Sequence, residues 1–323
     1  MTELVVVGDV HATPTELDEC AQLRDFLLHV LQERPEALVV FLGDQTDKND
    51  SLSVRVMEFW RHMATAICGR IWRKPVFLVG NHDQVSPGSR ESAMSACRDL
   101  ATVVDSSERI GPIQLVAYSA GAEQFAERCG DRGGLLVCHQ DLAGASYDND
   151  FKSKSSIVPP PSFAQVISGH LHVPQEFGRI WYPGSPRWRS ARDASVAERA
   201  IWWVKVSEDG RITDRAPYDT SGVSRRVVVV REREGGELAT NLNDRTVVEV
   251  SGSPEYVQRR RRELEGTGAR FRGLPEVRTA PKVKESDGIA GSIRAHLATY
   301  KPPAGTPIGV LTSIIRDRAG VDL

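Results

Sequence analysis

Three apolar runs in the first quarter of the chain, LVVVGD (4–9), ALVVFLGD (37–44) and PVFLVGNHD (75–83), each break off at glycine or Gly-Asn followed by an ionisable residue. Between them lie LDECAQLRDFLLHVLQER and SVRVMEFWRHMATAICGRI, stretches of helical length. Strand-like runs that recur between helices predict a layered α/β sheet rather than a bundle. In open sheets of this kind the ligand site lies beyond the carboxyl ends of the strands, so the residues after each glycine are candidates to meet there.

Shorter β-like runs follow at IQLVAYS, GGLLVCHQ, AQVISGHLH, GRIWYPGS and RAIWWVKV. They predict a second sheet, giving a two-layer β-sandwich flanked by helices over residues 1–208. Residues 209–224, rich in Gly, Asp, Thr and Ser, read as a linker. Beyond it RRVVVVRER, RTVVEVSG and ARFRG read as strands, and SPEYVQRRRRELEG reads as a helix capped by Ser253 with Pro254 at its first position. Together they predict a small α/β domain over 225–282. Residues 283–323 form a predicted helical tail. In it Ile289, Ile293 and Leu297 share one face of GIAGSIRAHLATY, and Ile308, Leu311 and Ile315 share one face of TPIGVLTSIIRDRAG.

At 323 residues, 40% hydrophobic and 26% charged, the chain has the composition of a globular protein. Its start lacks a basic leader, and no apolar run is long enough to span a bilayer, so the expectation is a cytoplasmic protein without a membrane partner. Five cysteines, odd in number and without a CxxC pair, argue against a disulfide framework or structural zinc. The net charge of −2 conceals a basic C-terminal part: from residue 223 onward 18 Lys and Arg face 13 Asp and Glu. That excess is compatible with phosphate backbones as partners, and equally with solvated surface charge.

The strand-end residues, in order, are Asp9 and His11 of GDVH, Asp44 of GDQTD, Asn81 and His82 of GNHD, His139 of VCHQD, and His170 and His172 of GHLH. Two histidines at i and i+2 point to the same side of an extended strand, so the GHLH pair can converge on one spot. Any one of these segments could be ordinary turn chemistry; five in order, each following a strand, are hard to reconcile with it. Hard oxygen ligands mixed with imidazoles suit Mn²⁺, Fe²⁺ or Zn²⁺. Seven ligands exceed what one catalytic ion with an open position needs, whereas two ions sharing Asp44 account for them and suit in-line displacement at phosphorus.

GDVH, GDQTD, GNHD, the histidine of VCHQD and GHLH together resemble the calcineurin-like metallophosphoesterases, over about residues 3–205. The resemblance implies one ion on Asp9, His11, Asp44 and His172, and another on Asp44, Asn81, His139 and His170. It makes His82 the catalytic group that protonates the leaving oxygen or stabilises the transition state. Within the superfamily the arrangement is similar to the SbcD-type DNA repair and recombination nuclease subunits, including phage versions. Those carry a small capping domain and a helical dock for an SbcC-type coiled-coil ATPase. GDVH followed by Ala-Thr departs from the His-Leu-Gly usual in those nucleases. The resemblance implies two divalent ions, Mn²⁺ foremost with Fe²⁺, Zn²⁺ and Mg²⁺ as alternatives, DNA as substrate and the ATPase as partner; a homodimer is one open oligomeric state, which the sequence does not fix.

Arg187, Arg189 and Arg192, interleaved with Trp188 after the GSP turn, are candidates for binding substrate phosphates. Asp47 and Asp83 are candidates for orienting the metal ligands. Arg259 to Arg262 point all around a helix, so most of them should be solvated. Trp202 and Trp203 read as packing residues. Two other functions stay open: a small-molecule or nucleotide phosphodiesterase or phosphatase, and a non-catalytic scaffold, which would have no physical need for every ligand position and His82.

Overall fold

A computed structural model describes residues 1–48, 52–147, 152–189, 193, 198–224, 227–243 and 245–274. The chain begins with β1 (Thr2–Val7), α1 (Leu17–Glu33), β2 (Leu38–Phe41), α2 (Val54–Ile71), β3 (Val76–Leu78) and β4 (Thr102–Val104). It continues with β5 (Ser107–Ile110), β6 (Ile113–Val116), α3 (Ala122–Cys129), β7 (Gly134–His139) and β8 (Phe163–Gly169). Next come β9 (Gln175–Phe177), β10 (Ile180–Tyr182), β11 (Ala200–Val206) and β12 (Ile212–Asp219).

These strands make two six-stranded sheets, ordered β12-β11-β1-β2-β3-β4 and β5-β6-β7-β8-β10-β9. In the first, β1 to β4 run parallel, and β11 and β12 are added antiparallel at one edge. In the second, β6, β7, β8 and β10 run parallel between the antiparallel edge strands β5 and β9. One apolar core joins the sheets: Val5, Val7, Val39 and Phe77 of the first and Leu115, Val137 and Ile167 of the second belong to it, as do Leu23, Leu27, Trp60 and Ile67 of the first two helices. Phe125 and Cys129 of α3 pack with Leu136 and Val166 of the second sheet. The fold is therefore the mixed α/β sandwich flanked by helices that the alternation of elements predicts. Its central strands are buried on both faces, which is why they read as unbroken apolar runs.

The linker expected over 209–224 is corrected by the structure: residues 212–219 form β12, paired antiparallel with β11 from Ala200↔Asp219 to Val206↔Ile212. The segment reads as polar because it is an edge strand. Only Ile212 and Tyr218 lean onto the core, and Pro217 occupies a position that an edge strand tolerates. The turn residues belong to the hairpin at Ser207–Arg211, where Gly210 N–H donates to Ser207 O.

Further along lie β13 (Val228–Arg233), β14 (Thr246–Ser251), α4 (Pro254–Leu264) and β15 (Arg270–Gly273), the strands being ordered β13-β14-β15. Among the described residues the chain divides into two compact units, one of residues 1–230, 239–248 and 264–271 and the other of 231–238, 249–263 and 272–274. In the second unit the Ser253 hydroxyl accepts from Tyr256 N–H at the start of α4. Of the arginine run in that helix, Arg260 is buried in a two-pronged pair with Glu232 at 2.8 Å, while its three neighbours are exposed. The tail expected over 283–323 lies outside the described residues. Among the described residues no helix is long and apolar enough to cross a membrane.

Candidate metal centre

The apolar runs end where the sequence predicts, and the residues after them converge at the carboxyl ends of β1, β2, β3, β7 and β8. The approach is close enough to exclude side chains from the turns. Gly43 has φ +111°, and a Cβ there would lie 2.2 Å from His139 Nδ1; one on Gly80 would lie 2.2 Å from Asp44 Oδ1. Beside the glycines, His11, Asp44 and His170 have φ of 47°, 50° and 85°, left-handed conformations that non-glycine residues avoid. Such strain concentrates where function over-determines the backbone.

Three overlapping sets of side chains place their ligand atoms within 4.8 Å of one another: Asp9, His11 and His172; His11, Asp44 and His82; and Asp44, His139 and His170. His11 Nε2 faces His172 Nε2 at 3.0 Å and Asp44 Oδ2 at 3.4 Å. His139 Nε2 lies 3.0 Å from Asn81 Oδ1 and 3.3 Å from Asp44 Oδ1, and His170 Nδ1 lies 2.9 Å from the same Asn81 oxygen. His139 Nδ1 donates to Leu42 O at 2.8 Å, so in the neutral ring Nε2 turns a lone pair toward those oxygens. Lone pairs and carboxylate oxygens facing each other, with Asp9 Oδ2 buried and unpartnered among the described residues, form a donor set that a cation would satisfy. The residues fit divalent metal.

The electrostatics agree. Burial raises the Asp9 carboxyl above its ordinary value, with Asp44 adding to the effect. Burial would lower the His139 imidazole, but Asp44 and Asp9 push it up to about 9, the mark of a site whose carboxylates favour positive charge. His170 is pushed down to about 4 by burial and by His139, which keeps it neutral as a ligand must be. Asp83, raised to about 7 by burial and Asp44, accepts N–H bonds from Gly80, Gln45 and Thr46 and so ties the β2 and β3 turns together.

His82 sits at the rim. Its Nδ1 donates to Asp47 O at 2.7 Å, its ring lies edge-on to His11 at 4.8 Å, and its main-chain N–H donates to Asp44 Oδ1. Beside it a cavity of about 500 Å³ is lined by Thr13, Thr15, Thr46, Asp47, Lys48 and Val56 among others.

Arg187 is not available to a substrate, and the expectation for it is corrected. Its side chain is 1% exposed; Nε donates to Val10 O at 2.8 Å and Nη2 to His11 O at 2.9 Å, with Glu16 Oε2 at 3.0 Å. A guanidinium bridging two main-chain carbonyls holds the loop that carries His11. Arg189 is turned inward as well, its Nη2 2.6 Å from Asp47 Oδ1. Arg192 lies outside the described residues. Sequence reasoning missed Asp193, buried with Oδ1 3.3 Å from His172 Nδ1, and Arg199, which donates to His172 O at 2.7 Å. Neither falls in a short motif; their one legible signal is their place after the Gly-Ser turn.

The two-sheet sandwich with candidate metal-ligand sets at its strand ends places the chain in the layered α/β class. Residues 2–174 match the family described as calcineurin-like phosphoesterase, and the chain belongs to that family. No curated protein matches the sequence. Among solved structures the chain is similar to the 5'-nucleotidase precursor from Thermus thermophilus, at 11% identity and a TM-score of 0.35, over 68% of this chain and 54% of that one. The chain thus spans about half the length of that protein.

Proposed function

We propose that this protein is a two-metal phosphodiesterase acting on DNA, the nuclease subunit of an SbcD-like pair with a coiled-coil ATPase, and that Mn²⁺ is its working ion. The observation that carries the metal reading is the sharing of Asp44: one oxygen faces His11 and the other His139, so a single carboxylate belongs to two adjacent ligand sets. Asp9, His11, Asp44 and His172 would hold one ion, and Asp44, Asn81, His139 and His170 the other. Two ions so held supply charge stabilisation at the attacking and leaving oxygens of an in-line displacement at phosphorus. His82, whose Nδ1 donates to Asp47 O, would hold a proton for the leaving oxygen. Arg189 restrains Asp47 and so supports that placement. The sequence resemblance supports DNA as substrate, and residues 287–318 are the proposed dock for the ATPase.

A second reading, hydrolysis of a nucleotide or another small phosphodiester, draws support from the cavity beside Thr46 and Asp47, whose volume suits a bound small molecule. Activity on plasmid and hairpin DNA against activity on a nucleotide panel separates the two. Within either reading His170→Ala should lose one of two bound ions and nearly all turnover. His82→Ala should keep both ions and lose about 10²-fold or more in kcat. An H82A protein that lost an ion would make His82 a ligand, a role its place in the set with His11 and Asp44 would then explain.

A further inference from the structure

The stretch after β10 touches the candidate metal centre from one side, and a single carboxylate in it reaches two parts of that centre. Asp193 is 1% exposed. Its Oδ1 lies 3.3 Å from His172 Nδ1, and its Oδ2 accepts the main-chain N–H of Arg189 at 3.0 Å. The Arg189 guanidinium in turn holds Asp47 at 2.6 Å, and the Asp47 carbonyl accepts His82 Nδ1 at 2.7 Å. Arg199, also buried, donates to both His172 O and Asp193 O, so the carboxylate has a rigid seat.

An imidazole whose Nδ1–H is taken by a carboxylate presents Nε2 as a lone pair, in one tautomer and one ring orientation. In His172 that Nε2 is the atom 3.0 Å from His11 Nε2. We propose that Asp193 is a positioning residue for the metal centre: it fixes the tautomer and orientation of His172 and, through Arg189 and Asp47, registers His82 against the same half of the site. The role in cation binding rests on the two-ion reading; the tautomer assignment does not.

Two measurements test it. In the metal-free protein, ¹⁵N NMR of the histidine rings should find His172 with its proton on Nδ1 in the wild type. That preference should be lost in Asp193→Ala and kept in part in Asp193→Asn, whose amide oxygen still accepts. Calorimetric titration with Mn²⁺ should then show affinity at one of the two ion sites falling about 10–100-fold in D193A, with a smaller loss in D193N and the other site unchanged. If D193A does not fold, the isosteric D193N carries both measurements. An unchanged His172 tautomer in a folded variant overturns the assignment, and so does an equal loss at both sites accompanied by a lowered Tm, which is the mark of a merely structural residue. A wild type that binds fewer than two ions refutes the two-ion reading and leaves the NMR result to decide the role of Asp193.

Discussion

His170 is held at φ +85° at the end of β8, in a conformation that a residue with a Cβ occupies at a cost of about 1–2 kcal/mol. Two substitutions isolate that cost, because both remove the imidazole and its 2.9 Å contact with Asn81, and both keep the main-chain N–H that donates to Asp9 Oδ1 at 2.8 Å. Only the Cβ distinguishes them. His170→Gly relieves the strain but adds unfolded-state freedom worth about 0.5–1 kcal/mol. The glycine variant should therefore be the more stable of the two by about 0.5–1 kcal/mol, where an exposed position of ordinary backbone would favour alanine by a similar amount. For a domain of this size that is a Tm difference of about 1–4 °C. Differential scanning calorimetry in the presence of a chelator measures it without interference from bound metal. An alanine variant equal to or more stable than the glycine variant would refute the idea that this ligand position stores backbone strain, and with it the same inference for His11 and Asp44.

Arg187→Ala should destabilise the protein by about 3 kcal/mol, the lower end for breaking a buried ion pair, since Arg245 still faces Glu16 and Glu19; urea unfolding with an unchanged midpoint would restore the substrate role instead. A thiol reagent at pH 8 should modify Cys68 alone among the five cysteines of the folded protein. Burial raises the pKa of all five thiols, but the other four are fully buried, with Cys97 at about 11 and Cys138 at about 12, so their thiolate fraction is negligible and falls further as pH drops. Mass spectrometry of the labelled protein gives the sites, and rapid labelling of Cys138 would count against the closed packing around β7 and β8.

What could be read from the sequence alone is what local backbone geometry imposes. Buried parallel strands require unbroken apolar runs, and side chains that meet beyond strand ends must follow directly on turns tight enough for glycine, so LVVVGD, FLGD, FLVGNHD, VCHQ and ISGHLH announce both sheet and site. The placements of Arg187 and Asp193 are decided by tertiary structure. Arg187 lies 171 residues from Glu16 in the chain, and no short-range pattern distinguishes a guanidinium that will bridge buried carbonyls from one that will face a phosphate. Asp193 stands in no motif, because what it needs is the depth of one carboxylate behind His172, a relation in space and not in spacing. Likewise ITDRAPYD reads as a linker until its partner is known. A strand at a sheet edge keeps so little of its surface in the core that its pairing with β11, rather than any apolar alternation, makes it a strand.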